Sequence, residues 1–391
     1  MKRIIIKIGI LILKTIYCPM KLLKVKNKIV YISRQFNHPN LDFTLIATEI
    51  SNLDPTIKNV FLTKRLDKGF IKKILYMFHM TKQMYHIATA KIIITDSYCM
   101  AISLLKHKKG TKVIQLWHAI GAIKKFGYQT IGKKSGSDEQ IAKLMHMHAN
   151  YDVVLCSSYT TGKHYCEAFN VNEDNIKYIG MPRIDYILKT NNADEIYNKY
   201  PQLKSKINIL YVPTFRKGKK IKLNQLIEKI DTNTYNLIIK LHPLDRKEYK
   251  YTEREGIIFE DKLKSYDLFS VADKIVTDYS SLAIEASLLD KPIYFYTYDL
   301  DEYEIDPGLN FDFKKEPIGK YMAKTPRKLL ELFKEEYDYS ILQKFKNKYI
   351  SVDTNECTKQ LSMYLLELIK NENKKNIKKE TNPNIKRELN I

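Results

Sequence analysis

The chain predicts an α/β fold of two Rossmann-like domains facing each other across a central cleft, preceded by an amphipathic N-terminal helix. Three observations carry this. Short β-rich apolar runs alternate with segments of helical periodicity, the pattern of parallel βαβ units. The alternation breaks over a polar stretch from Thr190 to Ile207 that contains Pro201, then resumes at similar length. The 391 residues exceed what one ordinary core serves, whereas two domains of under about 200 residues each fit.

In order, Lys28 to Ser33 reads as a first buried strand, and Asn40 to Asn52 has apolar residues at helical spacing. Val60 to Leu62 follows as a second strand and Tyr76 to Ala90 as a second helix. Strands are then predicted at Lys91 to Thr95, Lys112 to Leu116 and Tyr151 to Cys156, the last leading through Ser157 and Ser158 into a helix. Beyond the break, strands are predicted at Ile207 to Val212, Tyr235 to Leu241, Gly256 to Glu260, Lys274 to Thr277 and Pro292 to Tyr296. Helices fall at Lys262 to Ala272, Ser281 to Leu289, Arg327 to Phe333 and Cys357 to Lys370. The domain plan is a basic helix over 1–25, a first domain over 26–190, a second over 191–370, and a disordered Asn-, Lys- and Glu-rich tail over 371–391.

Within the N-terminal helix, spacings of four and seven gather Arg3, Lys7, Lys14 and Lys21 near one face, and Ile and Leu occupy much of the rest. Lys7 and Lys14 interrupt the apolar run, so neither a transmembrane helix nor a signal peptide is predicted. The pattern fits a helix lying in a membrane interface; the alternative is a helix packed on its own domain. The net charge of +22 is spread along the whole chain, which fits attraction to an anionic membrane surface or simply a lysine-rich solvated exterior. No zinc-finger spacing, RNA-binding aromatic signature or helix-turn-helix cue points to nucleic acid. The five cysteines are odd in number and lack CxxC spacing, so a reducing cytosol is expected, without a disulfide framework or zinc site.

Four segments carry chemistry, each just after a predicted strand, where open α/β sheets place their sites. In Trp117-His118-Ala119 the histidine is a candidate general base, Gly121 permits close backbone approach, and Lys124-Lys125 add positive charge. Pro213-Thr214-Phe215-Arg216 offers a hydroxyl and a planar donor fork for phosphate. In Lys240-Leu241-His242-Pro243, strand alternation points Lys240 and His242 to the same side. Asp278-Tyr279-Ser280-Ser281 joins a strand to a helix, so Ser280 or Ser281 caps the helix while free N–H groups face the cleft. No DxD pair sits at a strand end, since Asp299-Leu300-Asp301 lies in a tyrosine-rich loop. A bound metal or cofactor is not predicted. Serines, backbone amides and basic side chains would offset phosphate charge instead.

These segments resemble the CDP-glycerol glycerophosphotransferase family of teichoic-acid synthesis. The resemblance rests on Trp117-His118-Ala119 with its following Gly and Lys, Pro213-Thr214-Phe215-Arg216, His242-Pro243 and Thr277 to Ser281. Gly180 to Asp185 and the loop holding Tyr298, Asp299, Leu300 and Tyr303 are also similar, so it spans residues 28 to 370. It implies a GT-B fold and transfer of a polyol phosphate from CDP-glycerol or a related CDP-alditol to an acceptor on a membrane polyprenyl diphosphate, with release of CMP. His118 and His242 take the places of the family's essential histidines, and Ser280 and Ser281 those of its donor-phosphate ligands. Departures include Ala119 for a commoner Gly and Glu285 for a usual Asp. The expected setting is cytoplasmic, peripheral on the inner face of the membrane, and the expected role is that of a primase or short-chain transferase. The rival readings are a GT-B glycosyltransferase using a nucleotide sugar, and a non-enzymatic basic protein that binds membranes or nucleic acid.

Overall fold

A computed structural model describes residues 2–66, 69–216, 221–250 and 254–381. Among the described residues, two parallel sheets of six strands organise the fold. The first contains β1 (Lys28–Ser33), β2 (Lys58–Thr63), β3 (Ile92–Thr95), β4 (Lys112–Gln115), β5 (Val153–Cys156) and β6 (Ile176–Tyr178), in the order β2-β1-β3-β4-β5-β6. The second contains β7 (Ile207–Tyr211), β8 (Tyr235–Ile239), β9 (Ile257–Phe259), β10 (Lys274–Thr277), β11 (Ile293–Tyr296) and β12 (Met322–Ala323), in the order β12-β11-β10-β7-β8-β9. Every residue of β1, β3, β5 and β11 is buried. Strands covered by helices on both faces need apolar side chains on both, which is why these segments read as near-continuous apolar runs without alternation.

The N-terminal helix α1 (Lys2–Met20) packs against α3 (Phe70–Ala88) through buried Tyr17, with Leu13 and Met20 beside it. Its opposite face is apolar and exposed. Packing on its own domain and presenting a second apolar face therefore coexist in one helix. Helix α2 (Leu41–Leu53) buries Phe43, Ile46 and Ile50 on the first sheet, and Asn40 caps it by accepting from Phe43 N at 2.8 Å.

Several expectations need adjustment. The helix predicted over Lys262 to Ala272 is only Ser265–Leu268 followed by a 3-10 turn at Phe269–Val271. Strands β6 and β12 and the helix Tyr339–Tyr349 were not predicted; two- and three-residue strands are too short to show a period. The plan also placed 191–370 in one domain, yet the helix Cys357–Thr381 returns to pack on α2 and on the helix Pro182–Lys189. Asp185 anchors that return by accepting from the Cys357 and Thr358 amides at 2.9 and 2.8 Å. Which open apolar stripe a terminal helix fills is a tertiary choice that its own periodicity does not encode. This helix also continues to Thr381, past residue 370 where disorder was expected. Lys and Glu are good helix formers, and Pro383 is the first breaker after the stretch begins. Residues 382–391 of the predicted tail lie outside the described residues.

Candidate active site

Strand order fixes where the site lies. In the first sheet the chain winds outward on either side of the β1/β3 junction; in the second it does so on either side of β7/β10. Loops leaving the carboxyl ends of such neighbours diverge and open a crevice. Arg34 and Asp96 to Tyr98 emerge at the first junction, and Pro213 to Arg216 with Asp278 to Ser281 at the second. A cavity of about 790 Å³ lies between the two sets. Its first-domain wall includes Arg34, Tyr98, His118, Gly121, Lys124 and Lys125, and its second-domain wall Thr214, Arg216, Ser280, Ser281 and Tyr303.

His118 is oriented by backbone. Its Nδ1 lies 3.0 Å from the Asp96 carbonyl oxygen. A carbonyl only accepts, so the proton sits on Nδ1 and Nε2 keeps a free lone pair. Burial, helped by the charges of Arg183 and Lys124, pushes the imidazole down to about 4, although the Asp96 carbonyl acts the other way. A neutral base is the result. The preceding Trp117 has φ +63°, a strained left-handed conformation for a bulky residue. Its ring holds that conformation by stacking on Phe126 at 4.5 Å and lying edge-on to Phe169 at 5.1 Å.

The segment after His118 stitches the domains together. A Cβ on Gly121 would meet Ile284 Cδ1 of the second domain at 2.2 Å, so glycine lets the walls close. Lys124 Nζ donates to Thr214 Oγ1 at 3.3 Å, and the Lys125 amide donates to the Gly308 carbonyl at 2.9 Å. Gly127 has φ +58°, and a Cβ there would lie 2.1 Å from the Ala168 carbonyl oxygen. Gly127→Ala is therefore expected to destabilise the protein by about 1–3 kcal/mol from backbone strain alone, read as a lower thermal midpoint of the full chain. An unchanged midpoint would show that this loop is not under constraint.

Arg216 is held by carboxylates through ion pairs, although its buried Nε and Nη1 make no hydrogen bond. Its guanidinium pairs with Asp278 at 2.7 Å and Asp299 at 3.2 Å, and sits over the rings of Tyr298 and Tyr303 at 5.0 and 5.2 Å. Asp278 also accepts from the Thr214 amide at 2.9 Å. The fork predicted for phosphate thus locks the two cleft loops to each other, and Asp278 lies buried behind the cavity wall. Ser280 and Ser281 face the cavity at the start of the helix Leu282–Ser287. The Ser281 side chain makes no capping bond, and Ser280 Oγ accepts from the Leu282 amide at 3.3 Å.

The cavity therefore gathers His118, Gly121, Thr214, Arg216, Ser280 and Ser281, but Lys240 and His242 do not line it. His242 stacks at 4.2 Å on Phe215, which does. Burial lowers its basicity, and Asp245 opposes the shift. Lys240 is half-buried near Glu260 and Asp261. Among the described residues no cluster of three or more His, Cys, Asp or Glu has a metal-binding arrangement.

Sequence reasoning missed two contributors. Arg34 follows β1 at the first junction, and the strand-end rule applied there would have found it. Arg183 is less legible. Buried to 7% exposure, it donates to Asp42 (Nε at 3.0 Å), to Glu285 across the domain boundary at 3.0 Å, to Tyr266 Oη at 3.0 Å and to the His118 carbonyl at 3.0 Å. It thus couples both domains to the backbone of the candidate base.

Comparison with known proteins supplies the lineage. The sequence profile described as CDP-Glycerol:Poly(glycerophosphate) glycerophosphotransferase matches residues 16–367. A teichoic acid ribitol-phosphate primase of Bacillus spizizenii is 31% identical over 80% of this chain and 84% of its own length. A teichoic acid glycerol-phosphate primase of Bacillus subtilis is 30% identical over 84% of this chain and 85% of its own. In three dimensions, a variant of the wall teichoic acid polymerase TagF soaked with CDPG matches with a TM-score of 0.72 at 17% identity, covering 95% of this chain and 98% of that one. The fold is accordingly GT-B-like, and the chain is a transferase that belongs to the CDP-glycerol:poly(glycerophosphate) glycerophosphotransferase family.

Proposed function

We propose that this protein transfers glycerol phosphate, or a related polyol phosphate such as ribitol phosphate, from a CDP-alditol to a polyprenyl-diphosphate-linked acceptor. The observation that carries the reading is His118, with Nε2 unprotonated, in one cavity with Ser280, Ser281, Thr214 and the Lys124-Lys125 pair. The acceptor hydroxyl oxygen attacks the β-phosphorus while His118 takes its proton. The bond from that phosphorus to the bridging oxygen breaks, and CMP leaves with the electron pair. Lys124, Lys125 and the serine hydroxyls stabilise the developing charge in a recess that limits water. Arg216 and Asp278 position Thr214, and His242 acts through Phe215 to support the second-domain wall. No helix among the described residues is long and apolar enough to cross a membrane. The exposed apolar face of α1 supports peripheral attachment to an anionic inner membrane surface, where a lipid-linked acceptor resides.

The test is nucleotide release from purified protein with a lipid-linked acceptor and a panel of donors. CMP is expected from CDP-glycerol or CDP-ribitol, and nothing from nucleotide sugars. Release from nucleotide sugars alone would move the protein to the glycosyltransferases.

A further inference from the structure

A second recess, of about 480 Å³, opens beside α1, away from the proposed transfer chemistry. Lys14 of α1 lines it together with Lys106, His107, Lys108 and His146. Two of these hold the recess in shape. His107 Nε2 donates to the Ile102 carbonyl at 2.8 Å and Nδ1 faces Tyr17 Oη at 3.4 Å, which ties α1 to the floor. Lys108 donates to the Leu23 carbonyl just past the helix. The acidic member, Asp152, is committed to Lys112 at 3.3 Å and to the Val113 amide at 2.8 Å. Among the described residues neither Lys14 nor Lys106 has a carboxylate partner, so both are available to an anion.

The recess adjoins a surface of unusual character. On α1, Tyr17, Leu13 and Met20 turn inward, while Ile4, Ile5, Ile8, Leu11, Ile12 and Ile16 are exposed. The helical wheel places Lys7 and Lys14 together on one flank of that apolar face. Neighbouring α3 also turns large apolar residues outward, among them Ile71 at 72% and Phe78 at 71% exposure. The backbone behind the recess is strained: His146, His148 and Asn150 have φ of +47°, +59° and +68°. His146 and Asn150 line the recess, whereas Met147 and His148 line the main cavity, so one short segment walls both.

We infer that this recess seats the phosphate headgroup of an anionic membrane phospholipid, with the outer face of α1 lying in the acyl boundary beside it. The inference deepens the membrane attachment proposed above by giving it a binding site. Its chemistry is that of an interfacial helix whose apolar face enters the bilayer while a basic flank meets lipid phosphate.

The test uses the full chain without donor or acceptor, so it is independent of the transfer reaction. The protein is sedimented with phosphatidylcholine vesicles that contain or lack phosphatidylglycerol. Binding is expected only with phosphatidylglycerol, and Lys14→Gln/Lys106→Gln should weaken it about 10–30-fold at ~1 kcal/mol per lysine. The remote pair Lys334→Gln/Lys344→Gln should change it far less. Ile8→Asp/Ile12→Asp, on the exposed face, should abolish binding without lowering the thermal midpoint. Equal loss from the remote pair would reduce the recess to bulk electrostatics and overturn the inference, as would equal binding to neutral vesicles or none to either. CMP release in the donor panel with failed vesicle binding would remove the seat and leave the enzyme reading standing.

Discussion

Replacing His118 with alanine is expected to lower turnover by about 10²–10⁴-fold, the usual contribution of a positioned general base, while the thermal midpoint changes little. The side chain contributes one hydrogen bond, to the Asp96 carbonyl, and a bond of this kind is worth only about 1 kcal/mol net. His118→Asn separates two roles. It offers an amide N–H near the same carbonyl but no base, so turnover should stay low if proton removal is what matters. Recovery in the asparagine variant would make His118 a positioning residue, and activity within tenfold of wild type in the alanine variant would remove it from the mechanism.

The pH dependence follows from the same environment. With its imidazole held at about 4 in the fold, His118 is already a free base at pH 6, so the acidic limb of kcat/KM should lie below pH 5 rather than near the ordinary histidine value. An inflection near pH 6.5 would contradict that. Stability carries a related sign. Unfolded histidine binds its proton near pH 6.5, whereas burial holds His148 near 3 and His86 near 4 as well as His118. Between those values the unfolded chain binds more protons, so this stabilisation is complete above pH 6.5 and is lost as pH falls toward 4.

The parts of the site that the sequence exposed are those at strand ends. His118, Thr214, Ser280 and Ser281 each follow a β-rich run, and parallel-sheet geometry leaves such residues few places to go. Orientation was less legible. Alternation points Lys240 and His242 to the same side, but whether a side chain at a strand end enters the main cavity depends on the loop beyond it. Phe215 lines the cavity, and His242, stacked on it, does not. Arg216 shows the complementary limit. Its planar fork suited phosphate, yet two carboxylates far apart in sequence, Asp278 and Asp299, claim it in the fold. Pairings at such separations leave no periodic trace, and the same reason hid the return of the helix Cys357–Thr381 to the first domain.

The other large effect should come from Arg183, which sits on the helix Pro182–Lys189 rather than at a strand end and connects both halves. Burial acts against its charge, and Asp42, Tyr266 and Glu285 more than offset it, so the guanidinium stays ionised well above its usual range. Arg183→Met would leave Asp42 and Glu285, 1% and 3% exposed, without their counter-charge. Breaking a buried ion pair in this way costs about 3–5 kcal/mol, so a marked drop in thermal midpoint is expected. The triple variant Arg183→Met/Asp42→Asn/Glu285→Gln removes the stranded charges and should recover much of that loss. It does not restore the hydrogen bond to the His118 carbonyl or the link across the domain boundary. Its kcat should therefore remain depressed although its midpoint rises, because the base and the second-domain wall are no longer held in one frame. If activity and midpoint instead recover together, Arg183 serves stability alone; if Arg183→Met melts like the wild type, the network does not hold the domains.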